Sequence, residues 1–209
     1  MKAHDRDSQS AMTPEKAKQI LIEGNKRFQK SLKADRDLMG QVNDTADGQY
    51  PLATILSCID SRVSSELIFD QGIGDIFSVR IAGNFVNTDI LGSMEFACKL
   101  AGTPLIVIMG HTSCGAIKGA CDRARLGNLS HLIRRLEPAV TATATPVSKD
   151  QRTSKNLVFV DAVARTNVEM TIEQLRDVSP VLAQMEEAGE IKVIGAMYDI
   201  STGVVDFID

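Results

Sequence analysis

The sequence predicts an α/β domain, a mainly parallel sheet flanked by helices and preceded by an N-terminal helical arm. Three observations carry that expectation. Short apolar runs of strand length alternate with longer segments of helical period, the pattern of parallel strands joined by crossover helices. Residues 104–109, Pro-Leu-Ile-Val-Ile-Met, are apolar throughout, as befits a strand covered on both faces. The 209 residues, 44% hydrophobic and 24% charged, suit one domain large enough to bury a core without disulfide staples.

Taken in order, residues 1–12 are polar and read as a flexible tail, leaving 13–209 as a single domain. Thr13-Pro14-Glu15 supplies an N-cap, a proline at the first helical position and an acidic first turn. A helix to about residue 30 follows, with Ala17, Ile20, Leu21 and Phe28 at helical spacing. Residues 31–49 lack a clear period and complete the arm, 13–49. Residues 52–57 and 76–81 read as strands, 89–100 as a helix and 104–109 as the central strand. Helices are expected over 114–126 and 130–140, then a connector over 141–148. Leu157, Val160, Ala164, Val168, Ile172 and Leu175 recur at steps of three and four, so 150–177 reads as one long helix lying across a sheet face. Pro180 opens a short helix, and strands over 191–198 and 204–208 are joined by a Ser201-Thr202-Gly203 turn.

Composition narrows the function classes. A net charge of -4 with pI near 5.4 offers no positive field for phosphate backbones, and seven Phe, two Tyr and no Trp leave little for base stacking. Nucleic acid is therefore not expected as a partner. The longest apolar runs fall far short of the ~18 residues that span a bilayer, so no membrane partner is expected either. Residues 1–12 carry no apolar export segment, which points to a cytoplasmic protein, or a periplasmic one if a signal was removed before Met1. Four cysteines in a chain with an ordinary core suit reduced thiols better than a disulfide framework.

In open α/β sheets, ligands bind beyond the carboxyl ends of the strands. After the first strand comes Cys58-Ile59-Asp60-Ser61-Arg62, and after the central strand Gly110-His111-Thr112-Ser113-Cys114-Gly115. Two thiols and an imidazole are three ligands for tetrahedral zinc with the fourth position open, as catalytic zinc requires. The rival is a thiol enzyme pairing Cys58 or Cys114 with His111, which leaves the other cysteine, Asp60 and Arg62 without roles. Gly110 to Gly115 has P-loop spacing, but Ala116 and Ile117 stand where Lys and Ser or Thr must be. Gly72-Ile73-Gly74 precedes a strand instead of following one, so no dinucleotide fingerprint exists. Cys98 and Cys121 read as packing residues, His4 as part of the tail and His131 as a surface residue.

At Cys58-x-Asp60-x-Arg62 and His111-x-x-Cys114-Gly115 the chain resembles the β-class carbonic anhydrases. The likeness extends from residues 17–28 through Arg80-Ile81-Ala82-Gly83-Asn84 to Gly195-Ala196-Met197-Tyr198-Asp199. The resemblance implies one Zn²⁺ per chain held by Cys58, His111 and Cys114, with Asp60 and Arg62 as a catalytic pair. It implies hydration of carbon dioxide to bicarbonate by hydroxide that the metal makes available near neutral pH. Asp60 freed from Arg62 could instead take the fourth zinc position, so the pair is also a candidate switch. Gln49 matches a substrate-positioning glutamine of plant-type members, Phe77 and Ala82 match an apolar pocket, and Gly115 is carried over as substrate-binding. Bicarbonate-regulated members carry a tryptophan where this chain has Ile55, although Arg80 and Tyr198 match, so a permanently accessible zinc is expected. Ser64 departs from a common proline, with a local effect on the turn. A homodimer or homotetramer is implied. Alternatives on the same scaffold are a carbonyl sulfide or carbon disulfide hydrolase and a non-catalytic zinc-binding regulator.

Overall fold

The computed structural model describes residues 2–208; Met1 and Asp209, the outer ends of the expected tail and domain, lie outside the described residues. The expected tail is not featureless. Residues Arg6–Ser10 form helix α1, opened by a reciprocal capping box between Asp5 and Ser8. Gln9 Nε2 ties it to the core by donating to Pro51 O at 3.0 Å and Ala101 O at 2.9 Å.

Helix α2, Pro14–Gln29, starts as expected, with Thr13 accepting from the Lys16 amide. Its buried face, Ala17, Leu21 and Gly24, lies on the sheet side. Gly24 is required there, because a Cβ would stand 1.8 Å from Phe69 O. The aperiodic remainder of the arm contains a short helix α3, Leu38–Asp44, capped by Asp37. Strand β1, Ala53–Ser57, is followed by a one-turn helix α4, Ser65–Ile68, which the apolar pattern did not announce. Strand β2 is Ile76–Arg80, and helix α5, Thr88–Glu95, runs on into a π-helical turn, Phe96–Leu100.

Strand β3, Leu105–His111, is longer than expected and takes in Gly110 and His111. Helix α6 is only Gly115–Cys121, and α7 is Leu129–Ala142. The long helix α8, Leu157–Val178, begins later than its period suggested, where Asn156 caps it by accepting from the Phe159 amide. Helix α9, Pro180–Glu187, and strands β4, Lys192–Tyr198, and β5, Val205–Ile208, complete the fold.

The sheet order is β2-β1-β3-β4-β5, with the first four strands parallel and β5 antiparallel to β4. Alternation along β3 sends Leu105, Val107 and Met109 to the α2 side and Ile106 and Ile108 to the side covered by α5, α8 and α9. Burying each such side chain contributes about 1.5–3 kcal/mol, which is why a wholly apolar strand settles at the centre. A third cluster, Phe85, Ile117, Leu136, Phe159, Val160 and Val163, packs around Cys58 and Cys114 beneath α6, α7 and α8. Strand order reverses between β1 and β3, and a crevice at such a switch point is where doubly wound sheets hold ligands.

Candidate metal centre

The switch point holds the residues singled out in the sequence. Ser57 pairs with Met109 across β1 and β3, so Cys58 and His111 emerge at the same sheet edge. His111 ends β3 itself, paired with Tyr198, while Cys114 caps the N-terminus of α6. The ligand atoms of Cys58, His111 and Cys114 lie within 4.8 Å of one another, and all three residues are buried.

The donor set fits zinc. The two sulfurs are 3.9 Å apart, close to the ~3.8 Å edge of a tetrahedron with Zn–S bonds of ~2.3 Å. His111 Nδ1 lies 2.9 Å from Thr112 O, which assigns the ring proton to Nδ1 and leaves a lone pair on Nε2. That Nε2 is buried without a hydrogen-bond partner, an orphan that a metal ion would satisfy. The Cys114 S–H, with the Gly83 amide beside it, pulls Cys58 well below the usual thiol range despite burial. Cys114, next to that thiolate and buried, is pushed up.

Asp60 and Arg62 form a fork. Arg62 Nε donates to Asp60 Oδ1 at 2.9 Å and Nη2 to Oδ2 at 2.7 Å, and the Arg62 amide also reaches Oδ1 at 3.0 Å. These bonds outweigh burial and hold the Asp60 carboxyl far below the usual carboxylate range, so it is ionised. Asp60 Oδ2 stands 4.0 Å from His111 Nε2, at the rim of the ligand set.

Other site residues have more varied fates. Arg80 donates to Cys58 O at 3.0 Å and Asp60 O at 2.7 Å, so its guanidinium braces the ligand loop. Ile55 is fully buried in the core against the α2 side. Ala82 adjoins Gly83, whose amide points to Cys58 Sγ at 3.4 Å. Gly115 is exposed, with open space where a Cβ would be. Phe77 lies back along edge strand β2, beside Thr54 in register and edge-on to Phe96. Gln49 precedes β1, at the end of the sheet away from Cys58, near Thr45 and Gly74. Within one chain Gln49 and Phe77, expected as substrate-positioning and pocket residues, lie apart from the cluster.

Cys98 is buried and pushed up to about 12 by burial, Cys121 is half-buried, and His131 is exposed, as their sequence settings suggested. Sequence reasoning missed Asp161, whose Oδ1 accepts from the Ser113 amide at 2.7 Å, and Asn167, which donates to Gly83 O at 2.9 Å. No local signal could reveal them, because their partners lie 48 and 84 residues away.

A Cys-His-Cys cluster that could hold a metal ion lies beside an Asp–Arg fork at the switch point of a mostly parallel sheet, the arrangement of an α/β enzyme site. A family model described as carbonic anhydrase matches residues 53–205, and the chain belongs to the β-class carbonic anhydrase family. It is 36% identical over 159 residues to a carbonic anhydrase of Mycolicibacterium smegmatis, covering 76% of this chain and 75% of that one. It is 31% identical over 195 residues to a carbonic anhydrase of Pseudomonas aeruginosa, covering 90% and 86%. Among solved structures, a β-carbonic anhydrase of Aspergillus fumigatus superposes with a TM-score of 0.68 at 27% identity, covering 98% of this chain and 91% of that one. Tetrameric β-carbonic anhydrases of Sordaria macrospora give 0.66 at 27% identity, covering 78% and 82%.

Proposed function

We propose that the protein is a zinc-dependent carbonate dehydratase, interconverting carbon dioxide and water with bicarbonate and a proton. The observation that carries this reading is the orphaned, buried His111 Nε2 converging with two thiol sulfurs beside an ionised Asp60. Cys58 and Cys114 as thiolates and His111 through Nε2 would hold one Zn²⁺ per chain. When bound, the ion lowers the pKa of a coordinated water toward neutrality and so supplies hydroxide as the nucleophile.

The chain's own residues do the rest. Asp60, locked by Arg62, accepts the O–H of the attacking water and so turns an oxygen lone pair toward the carbon of carbon dioxide. Arg62, bonded to both carboxylate oxygens, keeps Asp60 from swinging in to close the fourth position, which supports an open site. Ala82 and Gly115 flank the ligand loops and leave space for a small apolar substrate. Leu32, Leu38, Met39 and Leu67, all more than half exposed on and beside the arm, support a homodimer or homotetramer that covers them. Among the described residues no helix is long and apolar enough to cross a membrane. The rival thiol-nucleophile reading fares worse, because Cys58 and Cys114 are 3% and 1% exposed, whereas reactive thiols need access.

Stopped-flow carbon dioxide hydration at mildly alkaline pH, before and after chelation and with zinc counted per chain, tests the proposal. About one zinc and chelator-sensitive hydration are expected. Zinc without hydration would favour carbonyl sulfide or carbon disulfide as substrate, or a regulator; no zinc with intact thiols would overturn the metal reading.

A further inference from the structure

We propose that Asp161 is a positioning residue for the metal centre: its carboxylate, reaching from α8, fixes the Ser113 peptide and thereby the spacing of His111 and Cys114. The inference rests on the zinc reading above and deepens it.

Only Thr112 and Ser113 separate the two ligands. Thr112 is held from the β4 side, its amide donating to Tyr198 O at 3.0 Å and its Oγ1 accepting from the Ile200 amide at 3.1 Å. Ser113 is held from the other side. Its φ of 54° lies in the left-handed region, unfavourable for a residue with a Cβ and stable only where surroundings impose it. The restraint is Asp161 Oδ1, 2.7 Å from the Ser113 amide. That distance is at the short end of the range for an N–H to oxygen hydrogen bond.

The support behind Asp161 is stiff. Phe159, Val160, Val163 and Ala164 of α8 are buried, so the helix cannot drift without disturbing the core. One and a half turns further on, buried Asn167 holds Gly83 O, and Gly83 in turn donates to Cys58 Sγ. Helix α8 thus tethers both loops that carry ligands through Asp161 and Asn167. Partners of this kind orient metal ligands, and losing one typically costs about 10–100-fold in metal affinity.

The test compares zinc affinity, by competition with a chromophoric chelator, and the visible spectrum of the Co²⁺-substituted protein. Asp161→Ala is expected to weaken zinc binding about 10–100-fold and to weaken or shift the thiolate-to-cobalt band. Asp161→Asn, which keeps an acceptor oxygen, should stay close to wild type in both. A purely structural role would lower the Tm of apo and zinc-loaded protein alike and leave the zinc-induced rise unchanged. Should Asp161→Ala fail to fold, Asp161→Glu, which keeps the charge but moves the acceptor, gives the same comparison. Unchanged affinity and spectrum in the displaced-acceptor variant, or an equal loss in Asp161→Asn, would overturn the inference. Wild-type protein that binds no zinc would instead overturn the zinc reading beneath it.

Discussion

Asp60 and Asp70 both face arginine, but their surroundings set them to different tasks. Asp60 takes its partner from two residues away, and that partner is open to water, the Arg62 side chain being 52% exposed. Asp70 draws Arg27 and Arg36 from the N-terminal arm: Arg27 Nε donates to Oδ2 at 2.5 Å, Arg36 Nη1 to Oδ1 at 2.6 Å, and the Ala34 amide to Oδ2 at 3.1 Å. The Asp70 and Arg36 side chains are each only 7% exposed. A local, solvent-lapped pair holds a carboxylate beside the Cys-His-Cys cluster; a distant, dry pair fastens an arm to a core. Similar chemistry thus serves geometry in one place and cohesion in the other, and burial decides which.

The sharpest way to break this division is Asp70→Ala. It leaves buried Arg36 with only the longer 4.0 Å contact to Asp75, and breaking a buried pair costs up to about 3–5 kcal/mol. Denaturant melts should show that loss, while hydration per folded molecule stays near wild type; a matching fall in turnover would erase the distinction. Asp60→Asn should do the reverse, lowering kcat/KM about a hundredfold or more in stopped-flow assays with little change in Tm. Arg62→Lys, which keeps charge but loses the fork, should cost about tenfold in the same assay, since Asp60 is then less firmly aimed.

The smallest effect is in acid. Burial alone would raise the Asp70 pKa, but Arg27, Arg36 and the Ala34 amide outweigh it, and the folded value lies below the ordinary 3.8. A depressed carboxylate contributes stability that is complete above its unfolded value and lost as pH falls through the folded one. The stability gap between wild type and Asp70→Asn should therefore be full above about pH 5 and narrow below 3.8. A gap that stayed constant down to pH 2 would remove the ionic part of the fastening.

The same contrast explains what could be read from the chain. Cys58-x-Asp60-x-Arg62 and His111-x-x-Cys114 are short spacings at strand ends, so the cluster and the fork were legible from residue types alone. Strand β3 was legible because a core strand is apolar on both faces. Nothing in the local sequence marks Arg36, Asp70 or Asp161, because their partners lie 34 and 48 residues away. Helix α1 hid behind a polar composition; Asp5 and Ser8 carried the reciprocal-cap signal that could have found it.

His111 is the last residue of the central strand, bonded into the sheet and not hung from a loop. A single inserted residue anywhere earlier in β3 would send each later side chain to the opposite face. His111 would then leave Cys58 even if every other contact survived. An insertion within the exposed residues 125–128, between α6 and α7, would only lengthen a surface connection, at a small entropic cost. Changes in chain length are thus forbidden or harmless according to whether they pass through the strand that carries the imidazole.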